Sequence, residues 1–201
     1  QVEILNKLYV DGVLVADGGV LEIVKEFAPD IPIHISTQAN TLSAHTALFW
    51  YKNGAKRIVL SREMNKNDIK YLIENIPQGL ETEMFIHGAI CWAYSGRCYL
   101  SDFMASRNAN LGDCAQSCRW TYHLYDENKE YTTDSDLFTM GSKDLCALPV
   151  IYDLMDAGVS SFKIEGRMKT EYYVASTVSS YRHLIDEIYE NQKPLTEERM
   201  Q

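Results

Sequence analysis

Four of the five cysteines in this 201-residue chain lie between residues 83 and 120. They are Cys91, Cys98, Cys114 and Cys118, in the pattern C-x6-C-x15-C-x3-C. The N-terminus shows no basic segment leading into an apolar stretch, so these thiols are expected to stay reduced. Reduced thiolates grouped in one segment are more typical of soft metal ligands than of disulfides. The segment therefore predicts a metal or cluster site.

The spacing of the four cysteines bears on which metal they bind. Structural zinc usually takes pairs of cysteines two to four residues apart, and only Cys114 and Cys118 approach that spacing. Iron-sulfur clusters accept more varied loops, because a cubane presents four iron corners that each need one thiolate. The spacing favours a 4Fe-4S cluster, with zinc as the alternative. Free thiols that pack as small hydrophobic side chains are the third interpretation.

The fifth cysteine, Cys146, lies well beyond the other four. It is either a free thiol or a replacement for one of the four ligands. The free thiol is favoured, because four clustered cysteines already suffice for a cubane.

Polar side chains at the ends of predicted strands form a second group of candidates. In the strand SFKIEG, alternate side chains face opposite sides, so Lys163 and Glu165 should share one face. Together with His87 and Arg167, they are the candidate catalytic residues of a pocket. Each has a structural alternative: His87 as a hydrogen-bonded core histidine, and Lys163 with Glu165 as a structural ion pair.

Two arginines beside the cysteines are candidate cofactor-binding residues. Arg119 directly follows the last of the four cysteines, and Arg97 directly precedes the second. A guanidinium there can offset the negative charge of a thiolate-bound cluster, or bind a carboxylate or phosphate through two hydrogen bonds. The aromatic residues that can stack on an RNA base, or instead pack around a cluster, are Trp92, Tyr94 and Trp120.

The run EMFIHGAICWAYSGRCYLS, followed in order by GDCAQSCRWTY, GSKDLC and SFKIEGRMKTEYY, resembles the motifs of the collagenase-like peptidase U32 family. The likeness covers nearly the whole chain and is greatest to members that install 5-hydroxyuridine in tRNA in a prephenate-dependent reaction. Despite the family name, such members carry an iron-sulfur cluster and hydroxylate RNA bases, or a ubiquinone precursor, without molecular oxygen. The resemblance implies an enzyme, an RNA partner and a small carboxylate co-substrate such as prephenate.

Composition limits the classes of protein that fit. Hydrophobic residues make up 46% of the chain, and no apolar run approaches the roughly 20 residues that span a bilayer. The sequence therefore predicts a globular protein in the cytoplasm with no membrane partner. A net charge of −9 argues against broad, non-specific nucleic-acid binding. Binding to RNA would then need basic residues that converge on one face.

Strand and helix patterns alternate along the chain. Predicted strands begin near residues 12, 32, 57, 83 and 161, and predicted helices cover 1–10, 19–28, 41–53, 67–75, 148–157 and 170–190. The strands are nearly all apolar, which is typical of parallel strands buried on both faces. A hairpin of TYHLYD with EYTTD and a mobile polar loop over 126–136 are also expected.

Five β/α units are too few for a closed barrel, which needs eight strands and typically about 250 residues. The expected fold is α/β, a TIM-type barrel lacking about three units, in a single partial domain over 1–201. The Cys-rich segment over 89–136 would be an excursion from it. The chain starts without methionine and is expected to be a fragment. Its open edge near Gly12 to Asp17 is then left for missing strands or a partner chain. An open doubly wound sheet is the alternative.

Three functions remain open from sequence. The leading one is an iron-sulfur enzyme that hydroxylates a tRNA wobble uridine. A collagenase-like peptidase is the second, since His87 lies four residues before Cys91 and a thiol protease needs such a pair. The third is a metal-stapled scaffold that binds RNA or a partner subunit.

Overall fold

The computed structural model is an α/β structure built on a mainly parallel sheet. It describes residues 2–94, 97–123, 125, 127–128, 137–167 and 169–191. The strands are β1 (Val13–Val15), β2 (Ile33–Ile35), β3 (Ala55–Val59), β4 (Glu81–Gly88), β5 (Tyr122–His123), β6 (Leu137–Phe138), β7 (Leu145–Cys146) and β8 (Ser161–Ile164). The helices are α1 (Val2–Leu8), α2 (Gly18–Phe27), α3 (Ala44–Lys52), α4 (Lys66–Glu74), α5 (Leu100–Ala105), α6 (Ile151–Asp156) and α7 (Glu171–Asn191).

The helices that follow β1, β2 and β3 each begin at a short polar residue that caps the first turn. The Asp17 carboxylate accepts hydrogen bonds from the backbone N–H groups of Gly19 and Val20 at the start of α2. Ser43 and Asn65 cap α3 and α4 in the same way. Such caps satisfy N–H groups that have no partner within the helix. Each strand-to-helix transition is therefore encoded locally.

Strands β1, β2, β3 and β4 pair in parallel and in sequence order, and β8 pairs in parallel with β4. The five parallel strands expected from the sequence are therefore confirmed. The short strand β7 was not predicted; it runs antiparallel to the end of β4, with His87 opposite Cys146. The short helix α5, within the Cys-rich segment, was not predicted either.

The two faces of the sheet differ in polarity. Ile33, Ile35 and Ile58 are buried in the apolar core, together with α2 residues such as Leu21 and Val24. The residues that alternate with them put polar groups on the opposite face, among them His34, Arg57, Glu83 and Lys163. The sheet thus has an apolar face packed on helices and a polar inner face, and sites in parallel β/α proteins lie at the carboxyl ends of such strands.

The barrel is not closed. Among the described residues, β1 pairs with β2 alone, so its other edge is open, as predicted for Gly12 to Asp17. Large apolar side chains are exposed along β1 and its neighbouring helices: Ile4, Leu8, Leu14, Val20, Ile23 and Phe27. In the part of the chain that the structure describes, no helix is both long and apolar enough to cross a membrane.

The predicted hairpin is described only in part. Tyr122 pairs with Phe138 and His123 with Leu137 in a separate antiparallel pair. The expected partner strand, residues 130–134, lies outside the described residues, as does most of the polar stretch 126–136. Helix α7, expected over 170–190, runs from Glu171 to Asn191 and is confirmed.

Candidate functional site

A cavity of about 320 Å³ lies at the carboxyl ends of the parallel strands. The strands and the residues just after them contribute Leu14, Ser36, Thr37, Gln38, Val59, Arg62, Phe85, Lys163, Glu165 and Arg167. The Cys-rich segment supplies much of the remaining wall, including residues 89–93. The cavity thus occupies the end of the sheet at which sites collect in parallel β/α proteins.

All four clustered cysteines line this one cavity. None is in a disulfide, and Cys114 is exposed while Cys91, Cys98 and Cys118 are half-buried. The backbone N–H of Gln116 donates to the Cys114 sulfur over 3.3 Å. The structure therefore brings the sequence-predicted thiols together. The exposed Cys146 is not among the residues that line the cavity.

The surroundings of Cys118 shift the pKa of its thiol. Burial raises the pKa of Cys118, and the neighbouring thiols of Cys91 and Cys114 raise it further. A backbone hydrogen bond from Trp92 and the charge of Arg119 act in the opposite direction. Three sulfur groups therefore interact electrostatically around one point of the wall.

The donors at this cavity are four free thiols, the chemistry that either an iron-sulfur cluster or zinc takes from cysteine. Within the described ranges, no three His, Cys, Asp or Glu side chains are grouped closely enough to hold one metal ion. A cubane needs one soft thiolate at each of its four iron corners. Four free thiols spread around a common cavity match that donor set.

The polar inner face converges on Glu83, a residue that the sequence analysis did not single out. Glu83 is 9% exposed; its carboxylate contacts Lys163 Nζ at 3.1 Å and Arg57 Nη1 at 3.2 Å. Ser161 Oγ donates to the same carboxylate over 3.0 Å. An acidic residue within a strand predicted to be buried was the available signal, because buried carboxylates need paired charges.

Lys163 and Glu165 both line the cavity, as alternation along β8 predicts. They are not an ion pair, however, because Lys163 is bound to Glu83. Among the described residues, the Glu165 carboxylate has no hydrogen-bond or ion-pair partner. Arg167 also lines the cavity, and its Nη1 donates to the Gly112 carbonyl oxygen.

His87 lies apart from these three. Its ring packs against Tyr173 and Tyr181, with ring centroids 5.9 and 5.6 Å away, and Nδ1 lies 3.3 Å from Tyr181 Oη. The β4–β8 register shifts between Phe85 and His87. This irregularity ends the alternation that would otherwise place His87 on the cavity face with Glu83 and Phe85. Burial lowers the pKa of His87, which favours a neutral ring.

The two arginines beside the cysteines occupy different places. Arg119 lines the main cavity, and its Nη1 lies 2.6 Å from the Asp144 carboxylate. Asp144 also binds Lys169 at 3.2 Å. Arg97 instead lines an adjoining pocket of about 370 Å³, together with Gln38, Tyr99 and Asn110. Gln38 and Cys98 border both spaces, so the two are neighbours.

Arg62 and Phe85 form a further contact in the cavity wall. The Arg62 guanidinium carbon lies 4.3 Å from the centroid of the Phe85 ring, and Lys163 Nζ lies 5.3 Å from it. Both distances fall within the range of cation–π attraction. Arg62 lies three residues after Val59, the last residue of β3, so its position just past a strand end was the sequence signal.

Comparison with known proteins places the sequence in a family. The family model described as Peptidase family U32 matches residues 1–201. The chain belongs to peptidase family U32. The predicted resemblance is therefore confirmed.

Three relatives in the U32 family show what similar proteins are called. The chain is 41% identical to tRNA hydroxylation protein P1 of Bacillus subtilis, over 90% of the chain and 44% of that protein. It is 40% identical to the 23S rRNA 5-hydroxycytidine C2501 synthase of Escherichia coli, over 92% of the chain and 28% of that protein. It is 34% identical to a collagenase of Porphyromonas gingivalis, over 92% of the chain and 46% of that protein. The chain spans less than half the length of each.

Proposed function

We propose that this U32 protein is part of an iron-sulfur enzyme that hydroxylates an RNA base, most closely a tRNA wobble uridine, without molecular oxygen. The observation that carries the proposal is the meeting of four free cysteines at one cavity at the carboxyl end of the sheet. Relatives about 40% identical to the chain are named for hydroxylation of tRNA and rRNA. The cavity supports the site of the reaction, and the names of the relatives support its type.

The cofactor proposal assigns Cys91, Cys98, Cys114 and Cys118 as the ligands of a 4Fe-4S cluster, with zinc as the alternative. When bound, such a cluster supplies one-electron chemistry at the cavity. A backbone N–H already points to one of the sulfurs, since Gln116 donates to Cys114. Such hydrogen bonds to sulfur tune a cluster and hold its ligands in place.

The remaining cavity residues have distinct proposed roles. Glu165, a carboxylate without a partner among the described residues, can accept a proton from the substrate. Lys163 contributes a positive charge that Glu83 holds in place. Arg119 offsets thiolate charge while Asp144 fixes its position. His87 packs away from the cavity on Tyr173 and Tyr181, so its proposed role is to position the end of β4.

Binding of RNA fits the exposed rim of the site. Arg167 and Trp92 are exposed and line the cavity, and Arg97 is exposed and lines the adjoining pocket. Tyr94 and Trp120, close to them in sequence, are also exposed. Arginines can bind phosphates, and aromatic rings can stack on an unpaired base. The basic residues thus collect at the cavity in a chain whose net charge is −9.

The same proposal covers the architecture of the active protein. The five parallel strands are part of a TIM-type barrel, and 89–136 is a Cys-rich excursion from a single partial domain. Further strands or a partner chain complete the barrel beside β1. A cytoplasmic location is part of the same proposal, because RNA substrates are found there.

The cofactor proposal is tested by purifying the protein without oxygen and measuring its visible absorption and its iron, sulfide and zinc content. A broad visible band with about four irons per chain is expected. Serine substitution of each of the four cysteines should remove the iron, whereas Cys146→Ser should keep it. One bound zinc, or iron lost in Cys146→Ser but kept in Cys114→Ser, would overturn the assignment.

The reaction is tested in cells. Deleting the full-length gene should remove one hydroxylated nucleoside from digested RNA, measured by mass spectrometry. The intact gene should restore it, and a Cys91→Ser gene should not. An unchanged nucleoside profile in the deletion strain would contradict RNA hydroxylation, whatever the metal content of the protein.

A peptidase is the second candidate, favoured by the collagenase relative. The geometry gives it less support, because Cys91 lines the cavity while His87 packs on Tyr173 and Tyr181. A thiol protease needs its thiolate and histidine within hydrogen-bond reach. Peptide hydrolysis by metal-free protein that is lost in Cys91→Ala would establish the peptidase instead.

A further inference from the structure

Two buried hydrogen-bond donors without a partner flank Cys118 in the sequence. Ser117 is 2% exposed, and its hydroxyl has no hydrogen-bond partner among the described residues. Nη2 of Arg119 is likewise buried and unpartnered in the part of the chain that the structure describes. Both residues line the cavity that the four clustered cysteines share. A buried polar group without a partner costs free energy, so each of these donors needs a partner or a role.

The turn that carries Ser117 is held in place through its backbone. Residues Ser117–Arg119 form a single 3-10 turn. The Ser117 carbonyl oxygen accepts a hydrogen bond from Tyr122 Oη over 2.6 Å. The Cys118 carbonyl oxygen accepts one from the Gly141 N–H over 2.7 Å. Because the backbone is fixed at these points, the Ser117 hydroxyl is kept buried beside Cys118 and does not turn out to water.

A second buried serine in the same wall shows the contacts of a structural hydroxyl. Ser101 is 1% exposed and also lines the cavity. Its hydroxyl donates to the Arg107 carbonyl oxygen over 2.7 Å and accepts from the Ala115 N–H over 2.9 Å. Ser101 therefore joins two parts of the Cys-rich segment. The Ser117 hydroxyl makes no such contact among the described residues, so the folding of this segment does not explain a serine there.

The neighbours of Ser117 indicate which acceptor its hydroxyl fits. Ser117 lies between Cys114 and Cys118 in the sequence, and both thiols line the same cavity. A metal-bound thiolate, or a sulfide of a cluster, carries negative charge and accepts hydrogen bonds. The Ser117 oxygen is closed to solvent. Its acceptor is therefore a group assembled together with these cysteines, and not a ligand that exchanges with water.

We infer that the Ser117 hydroxyl donates a hydrogen bond to a sulfur of the cluster that Cys118 helps to hold, and that it raises the reduction potential of that cluster. The inference deepens the proposed function, on which it rests for the 4Fe-4S cluster. Hydrogen bonds to sulfur are among the features that set the reduction potential of such clusters. They favour the reduced form, because an added electron makes the sulfurs more negative and so better acceptors.

The test is a redox titration of cluster-loaded protein that has been purified without oxygen, followed by visible absorption. Ser117→Ala should make reduction about tenfold less favourable, which lowers the midpoint potential by about 59 mV for a one-electron couple. Urea unfolding of the metal-free variant should be unchanged, because the hydroxyl has no partner there to lose. Ser101→Ala is the matched control with the opposite result. It should destabilise the metal-free chain and leave the potential unchanged.

Equal potentials for Ser117→Ala and the unaltered protein would overturn the inference, and so would an equal fall in Ser101→Ala. If Ser117→Ala holds no cluster, Ser117→Thr, which keeps a hydroxyl, decides the question. Iron regained at the unaltered potential supports the hydrogen bond, and continued loss overturns it. Iron, sulfide and zinc are measured on the same samples. Unaltered protein without iron would contradict the cluster and the inference with it, whereas iron with an unshifted potential contradicts the hydrogen bond alone.

Discussion

Glu83 determines how charge is arranged on the inner face of the sheet. Burial alone would raise the pKa of Glu83, but the charge and hydrogen bond of Lys163, the hydrogen bond of Ser161 and the charge of Arg57 outweigh it. The pKa of Glu83 is therefore held below its ordinary value of 4.5. A carboxyl whose pKa is lower in the folded state than in the unfolded state stabilises the fold at pH values above its pKa in the unfolded state. That stabilisation is lost as the pH falls through the pKa of the carboxyl in the folded state.

Glu83→Gln should therefore destabilise the fold at neutral pH and weaken the loss of stability below about pH 4.5. We expect a cost of about 1–3 kcal/mol, less than for a fully buried pair, since Lys163 and Arg57 remain partly solvated. Urea unfolding from pH 3 to pH 7 measures both effects. Glu81→Gln is the matched control: Glu81 also binds Arg57, at 2.6 Å, but its side chain is 54% exposed. It should cost about 0–1 kcal/mol. Equal costs for the two variants would contradict this account.

Sequence patterns predicted which side chains line the cavity, but they did not predict which residues those side chains bind. Alternation along β8 placed Lys163 and Glu165 on one face, and the cysteine spacing singled out four thiols that do share a cavity. The Lys163–Glu83 pair depends on the register between β4 and β8, which are far apart in sequence. The displacement of His87 depends on a register irregularity between the same strands. Neither is encoded in a local pattern.

At the level of elements, Tyr181 of α7 joins two strands that meet at the end of the sheet. Its hydroxyl donates to the Ile86 carbonyl over 2.8 Å and accepts from the Ala147 N–H over 3.0 Å. Burial raises the pKa of Tyr181 far above its ordinary value, so the hydroxyl stays protonated and can donate. Helix α7 thereby fixes the end of β4 beside β7, where these two strands pair.

Tyr181→Phe removes this bridge and should lower the free energy of unfolding by about 1–2 kcal/mol. The cost is limited because the Ala147 N–H also donates directly to the Ile86 carbonyl. Thermal and denaturant unfolding measure it. Tyr189→Phe, on the same helix and 70% exposed, should change stability by less than about 0.5 kcal/mol. A Tyr181→Phe protein as stable as that control would show that the bridge does not hold the strands.

Gly88 allows β4 and β8 to meet at the cavity. It has φ +102°, and a Cβ atom there would lie 2.4 Å from the Glu165 carbonyl oxygen. Gly88→Ala must therefore separate the strands or rotate the backbone that carries Glu165, and should cost about 3 kcal/mol or more. Gly18→Ala, where a Cβ meets nothing within 4 Å, should be nearly neutral. Chemical denaturation compares them, and a near-neutral Gly88→Ala would contradict the close approach.

Elements with strong local signals were predicted and short ones were not. The five parallel strands and the long helix α7 follow from apolar runs and helical periodicity, with capping residues such as Asp17 marking helix starts. Strand β7 has two residues and α5 has six. Segments that short contain too few residues to show a helical or strand period. They form because of contacts with β4, in the case of β7, and with the rest of the Cys-rich segment, in the case of α5.

At the level of the whole molecule, the sheet has an open edge at β1 among the described residues, with exposed apolar side chains beside it. Leu14 is 54% exposed, Ile23 46% and Phe27 44%. An unpaired edge strand with adjacent apolar surface is a template for association with another chain. The 201-residue chain by itself should therefore self-associate through this edge, because pairing buries both the unpaired backbone groups of β1 and the apolar surface of α2.

Ile23→Lys should reduce this self-association, since a charge on α2 opposes burial of the surface next to β1. Sedimentation velocity over a range of concentrations measures it. Tyr71→Lys is the matched control, because Tyr71 is 65% exposed on α4, away from β1. It should leave association unchanged, and both variants should keep the circular dichroism of the unaltered chain. If Tyr71→Lys reduced association as much as Ile23→Lys, the contact would not be at the β1 edge. If the unaltered chain were monomeric at all concentrations, an open edge of this size would not be enough to drive pairing.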